Sequence, residues 1–231
     1  MNNSQLATAF TTAVVAGLAP LADPAAAAPM AAYMRGRFAF LGVKTPARRG
    51  VSTPLIRAAR TTLAPGERLA AAQQLWALPE REYQIVAVDL LADRPASLGA
   101  AALPVLDELI GRKSWWDSVD GLAAHVIGPL LQAEPALRPV MDDWAHGDRL
   151  WHARTALLFQ LGYRADTDTV RLFAYCHSLA GHPDFFIRKA IGWALRQHAR
   201  TDADAVRAFV DAERERLSPL SVREALKHLA D

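Results

Sequence analysis

The 231-residue chain is 52% hydrophobic, enough to bury a substantial core, and this excludes a disordered protein. Its 26 basic and 24 acidic residues leave a net charge of +2, so any footprint for a polyanion must be local. A single cysteine, Cys176, excludes an intrachain disulfide, a CxxC redox pair and a thiolate zinc cluster, and fits a reducing cytoplasm.

The opening MNNSQLATAFTTAVVAGLAPLADPAAAAPM has the apolar run and small residues of a signal peptide but no basic leading region, the first basic residue being Arg35. The better reading is an amphipathic first helix, with residues 1–27 as a helical extension or cap. No later run of about 18 or more strongly apolar, uncharged residues follows, so no membrane partner is expected. Nearly every longer segment after it is rich in Ala, Leu, Arg and Glu at helical spacing, while alternating β-branched runs are missing. Breaks are expected at Pro20 to Pro29, Thr45-Pro46, Pro54, Ala64-Pro65-Gly66, Pro79, Arg94-Pro95, Pro135, Gly147-Asp148, His182-Pro183 and Ser218-Pro219. The predicted fold class is all-α, a series of helices with short connections.

Four of these helices begin with an aromatic residue. They are YQIVAVDLL from Tyr83, WWDSVDGLA from Trp115, WHARTALLF from Trp151 and FFIRKAIGWAL from Phe185, at spacings of 32, 36 and 34 residues. That is the length of a helix pair in an α-solenoid, so the pattern predicts HEAT-like repeats stacked into one curved domain, residues 1–231. Five residues after each aromatic stand Val88, Asp120, Ala156 and Ala190. Asp120 is the one that core packing does not explain.

Within SWWDSVD, Ser114 and Asp117 have the spacing of an N-terminal capping box. Asp120 lies a further turn in, on the face of Trp116 at i+4, and reads either as an ion-paired or solvated acid beside a core tryptophan or as a reactive carboxylate. Trp193 and Arg196 pair an indole with a guanidinium at i+3, and Arg154 stands in the first turn after Trp151. Taken singly, each is an aromatic core residue or a snorkelling arginine; at equivalent points of stacked repeats they would line one concave surface. Basic residues follow the same rhythm, from Arg35, Arg37, Lys44, Arg48 and Arg49 through Arg112, Lys113, Arg149 and Arg154 to Arg188, Lys189, Arg196, Arg223 and Lys227. Collected on one face they would form a phosphate-binding track; otherwise they are solvated helix faces. The seven histidines show no recognised metal-ligand spacing, and phosphate-loop, dinucleotide and hydrolase-elbow motifs are missing, so neither metal nor cofactor is expected.

The strings AAYMRGRFAFLGVKTPARR (31–49), LWALPEREYQ (75–84), LDELIGRKSWWDSVD (106–120), WHARTALLFQLGY (151–163), FFIRKAIGWALR (185–196) and LSPLSVREALKHL (217–229) closely resemble the AlkD-type DNA alkylation repair enzymes, the HEAT-like-repeat alkylpurine DNA glycosylases. The resemblance runs from about residue 28 to the end. It implies hydrolysis of the N-glycosidic bond of purines alkylated at N3 or N7 in double-stranded DNA, leaving an abasic site. It also implies a catalytic acid at Asp120, paired indoles at Trp116 and Trp193, a phosphate-side arginine at Arg154, and lesion or backbone contacts from Tyr33 and Arg196. Lys44 departs from the family glutamine at that place and keeps only a possible phosphate contact; Lys113, Arg188 and Lys189 complete the expected DNA-binding set. A monomer in the cytoplasm, bound at the nucleoid, is the accompanying expectation. Two other readings stay open: a DNA-structure-binding relative without glycosylase activity, and a protein-interaction scaffold.

Overall fold

The computed structural model describes residues 3–229, and it is all-α: the only extended pairing among them is an isolated bridge between Ala39 and Glu80. The chain divides into two compact units, Met1–Val105 and Leu106–Asp231.

In the first unit, α1 (Asn3–Leu18) buries Ala7, Phe10, Val14 and Leu18, one stripe at helical spacing, against α3 (Thr45–Thr62) and α4 (Pro65–Ala77). The apolar opening is therefore a packed helix. Among the described residues no single helix is long and apolar enough to cross a membrane. The stretch from Pro20 to Pro29 was expected to be a break, yet α2 (Pro24–Tyr33) fills much of it. Pro24 occupies the first helical position, where its missing N–H costs nothing, and Asp23 accepts from the amides of Ala25 and Ala26. Pro54 likewise fails to break α3. The residue four before it is Gly50, whose backbone has the latitude to tilt its carbonyl away from the proline ring. Burial of Arg48, Ser52, Ile56 and Ala59 along one face holds the helix through that point.

Lys44 leads into α3 from a fixed loop. The carboxylate of Glu82, on α5 (Arg81–Ala92), accepts from the amides of Leu41, Gly42 and Val43 at 2.9–3.0 Å. Gly42 has φ 87°, and a Cβ there would stand 2.0 Å from the Asp23 carbonyl oxygen, so only glycine fits.

The second unit contains α7 (Trp116–Gly121), α8 (Gly128–Ala133), α9 (Pro139–His146), α10 (Leu150–Leu158), α11 (Thr169–Ser178), α12 (Phe185–His198), α13 (Ala203–Ala212) and α14 (Pro219–Ala225), preceded by α6 (Ala102–Gly111). The three aromatic-led helices of this unit pack in sequence, α10 lying against both α7 and α12, and α14 also lies against α12. Between α7 and α8 the helix does not end but widens to a π-helical segment, Leu122–Ile127, which begins two residues after Asp120. The widening ends at Gly128-Pro129, where Pro129 has no N–H to donate. Gly128 is pressed against the end of α10; a Cβ would stand 2.2 Å from the Phe159 carbonyl oxygen, and Tyr163 donates its hydroxyl to the Gly128 carbonyl at 2.7 Å.

The expected capping box at Ser114 and Asp117 does not form. Trp115, with extended backbone, is the residue at the start of α7, and the Ser114 hydroxyl turns back to the Ile110 carbonyl near the end of α6. The turn between the two helices is made by Lys113 at φ 49°, a left-handed conformation.

Candidate active site

Three aromatic residues at the starts of α7, α10 and α12 meet in one cluster, with Phe186 rather than Phe185 coming from α12. Trp115 lies 4.9 Å from Phe186 and 5.7 Å from Trp151, ring centre to ring centre, and Trp151 lies 5.0 Å from Phe186. Edge-to-face and tilted contacts of this kind favour a fixed helix arrangement. Trp115 is buried, which leaves the neighbouring Trp116, half-buried, on the face of α7 that carries Asp120.

On that scaffold a single guanidinium ties the three helices together. Arg154, on α10, donates through Nε to Asp120 Oδ1 at 2.7 Å and through Nη2 to Oδ2 at 2.8 Å, while Nη1 donates to the Phe186 carbonyl on α12. Its Cζ also lies 5.8 Å from the centre of the Phe186 ring. The Arg154 side chain is 4% exposed and that of Asp120 14%. A bidentate pair fixes the carboxylate in orientation as well as position. Burial pushes the Asp120 carboxyl above the ordinary carboxylate range, opposed by the hydrogen bonds and charge of Arg154 and reinforced by Asp117. An ionised carboxylate has about four acceptor sites, and Arg154 takes two of them. The remaining ones are free in principle to orient a water or to face a developing cation, in surroundings where charge interactions exceed those in water.

Trp193 belongs to α12 and is half-buried, outside the aromatic cluster. Phe186, Lys189, Trp193 and Arg196 follow at intervals of three, four and three residues, one stripe of the helix that begins where Arg154 is anchored. Lys189 and Arg196 both bond to Glu224 on α14, at 2.6 Å each. Arg188 is turned away, its Nε donating to the His182 carbonyl at 2.9 Å. Thus the structure brings Asp120 and Arg154 into contact, sets Trp116 beside Asp120, and aligns Lys189, Trp193 and Arg196. Arg154, expected on the phosphate side, is buried and committed to Asp120 and Phe186. Tyr33 and Lys44, both exposed, lie in the first unit.

The basic rhythm of the sequence also reads differently in three dimensions. Arg48 pairs with Asp89, Arg149 with Asp107, Arg154 with Asp120, and Lys189 and Arg196 with Glu224, so several of the expected phosphate contacts are ion pairs between helices. Phe186 and Glu224 are the residues that sequence reasoning missed. Phe186 stood next to the noticed Phe185, and its partners, 35 and 71 residues away, lie about one and two repeat lengths back; the sequence did not show that Phe186 joins the cluster while Phe185 stays exposed.

A family model described as DNA alkylation repair enzyme matches residues 14–229. Among solved structures, the chain is similar to one described as a predicted DNA alkylation repair enzyme from Enterococcus faecalis, at 31% identity and a TM-score of 0.83, covering 91% of this chain and 97% of that one. No curated protein sequence matches the chain significantly.

Proposed function

The chain belongs to the DNA alkylation repair enzyme family, and from that premise we propose that it is a monofunctional glycosylase that hydrolyses the N-glycosidic bond of N3- and N7-alkylated purines in duplex DNA. Its role lies in the repair of alkylated DNA; the reaction and the adduct class are our reading. The observation that carries it is the largely enclosed Asp120 carboxylate, 14% exposed, held in place by both arms of Arg154 and accompanied on its own helix face by Trp116.

The chemistry asks for little more. A purine alkylated at N3 or N7 already carries positive charge, so it departs without a general acid, and the sugar it leaves develops oxocarbenium character. A single oriented carboxylate stabilises that cation and orients the attacking water. Trp116 and Trp193 offer π faces to the cationic nucleotide, each contact worth about 0.5–2 kcal/mol. Arg154 acts through Asp120: it holds the carboxylate and sets its orientation. Lys189, Arg196 and Lys113, together with Tyr33 and Lys44, supply backbone and lesion contacts in this reading, with one copy of the chain on double-stranded DNA and no cofactor.

The test is release of free 7-methylguanine and 3-methyladenine from methylated duplex DNA by the native protein and by Asp120→Asn, assayed well below both unfolding temperatures. Release that drops sharply in the variant while DNA binding persists supports the glycosylase. A folded, DNA-binding native protein that releases nothing above the spontaneous rate points to the non-catalytic DNA-binding relative, and Lys44→Gln is then the first substitution to try.

A further inference from the structure

Glu224 occupies an unusual place for an acid on a surface expected to meet DNA. Its Oε1 accepts from Lys189 Nζ and its Oε2 from Arg196 Nη1, both at 2.6 Å, so one carboxylate spans the two cations that flank Trp193 along α12. The carboxylate is the inner partner: its side chain is 10% exposed, against 38% for Lys189 and 21% for Arg196. Its root is fixed by backbone packing. α14 docks on α12 at Gly192, where a Cβ would stand 2.5 Å from Glu224 Cβ and 2.9 Å from the Ser221 carbonyl oxygen, and the Ser221 hydroxyl donates to the Arg188 carbonyl at 2.9 Å. The Lys189 hydrogen bond, with the charges of Lys189 and Arg196, holds the Glu224 carboxyl below the usual range, so it is ionised at neutral pH.

We infer that Glu224 is an internal stand-in for a DNA phosphate, from which the duplex backbone draws Lys189 and Arg196. One negative charge against two positive ones leaves the trio with a single net positive charge. It therefore attracts a phosphate, but less strongly than two unopposed cations would. Drawing the two cations away leaves the buried Glu224 carboxylate less well compensated, a cost offset by the charge-assisted hydrogen bonds that they make to the phosphate. The consequence is a damped affinity for DNA that presents no phosphate to both cations at once, and a Trp193 flanked by ordered rather than wandering side chains before DNA arrives. The inference rests on the proposed DNA contact of Lys189 and Arg196, not on the glycosylase reaction.

The experiment measures binding of a short undamaged duplex oligonucleotide to the full chain by fluorescence anisotropy across a salt series, with unfolding temperatures in parallel. Glu224→Gln keeps the shape and removes the charge; its affinity should rise about fivefold at low salt, and the gain should shrink as salt is added. Glu224→Asp keeps the charge but withdraws it by one methylene and should give a smaller rise. The paired substitutions Lys189→Gln and Arg196→Gln should weaken binding and abolish the gain from Glu224→Gln. Unchanged or weakened binding by a folded Glu224→Gln protein, with the paired substitutions still weakening binding, overturns the inference and makes Glu224 an organiser of the two cations. If the paired substitutions leave binding unchanged, the inference and the DNA contact of those two residues fall together, while base release by the native protein continues to report on the glycosylase separately.

Discussion

Arg154 and Asp120 face each other through two parallel hydrogen bonds, Nε to Oδ1 at 2.7 Å and Nη2 to Oδ2 at 2.8 Å, across the packing surface of α10 and α7. Because the third nitrogen of the same guanidinium reaches the Phe186 carbonyl, the orientation of the candidate catalytic carboxylate depends on how α7, α10 and α12 pack. Stability and chemistry are therefore coupled at this site.

Removing either partner leaves a buried, uncompensated charge. Arg154→Gln should lower stability by about 3–5 kcal/mol, and Asp120→Asn should also destabilise. Combining Asp120→Asn with Arg154→Gln should cost less than the sum of the single changes by roughly 0.5–3 kcal/mol. Urea denaturation of the four proteins gives the coupling directly; strict additivity would show that the pair contributes nothing beyond its two side chains.

The raised Asp120 carboxyl makes stability and activity respond oppositely to pH. A group whose folded pKa is raised contributes stability that is complete below its unfolded value, about 3.9, and is lost as pH rises through the folded value. Base release needs the charged form, so it should fail as pH drops through that same raised value. Single-turnover release against pH should then show an acid limb above the ordinary aspartate range. A limb at or below that range would remove Asp120 as the titrating group.

Trp115 and Trp193 should separate by what they affect. Trp115 sits in the aromatic cluster, and Trp115→Ala should cost about 3–5 kcal/mol of stability. Trp193 stands outside the cluster and is half-buried, so Trp193→Ala should cost only about 1 kcal/mol. Its effect should instead fall on base release, by up to roughly thirtyfold for one lost cation–π contact. Thermal unfolding and release assays on the same preparations separate the two roles.

Gly128→Ala tests whether the widened helix after Asp120 matters. The new Cβ would meet the Phe159 carbonyl oxygen at 2.2 Å, a backbone atom with no rotamer to give way, so α8 must shift from the end of α10. A loss of about 1–3 kcal/mol is expected, with slower base release although no site residue changes. Full activity at full stability would mean that the shift is absorbed without reaching Asp120.

What the sequence determined by itself was local or periodic. Helical spacing decided the all-α class, three of the four recurring aromatic starts picked out helices of the second unit that pack in succession, and Asp120 stood out because its counterparts Val88, Ala156 and Ala190 are apolar residues, buried in the structure. Proline was the weaker guide: at Pro24 and Pro54 the helix persists, because a first-turn position or a buried face outweighs the local cost, and it runs through Pro29 as well. Only the tertiary structure decided which charges meet. Asp120 and Arg154 are 34 residues apart, Lys189 and Glu224 35, Arg196 and Glu224 28, and Arg48 and Asp89 41. Two of these separations fall at the repeat length and two do not, so spacing alone does not name the partners; each contact depends on loop lengths and on the approach of one helix to another. A periodic row of cations is visible in a sequence; the acids that answer them across a helix interface are not.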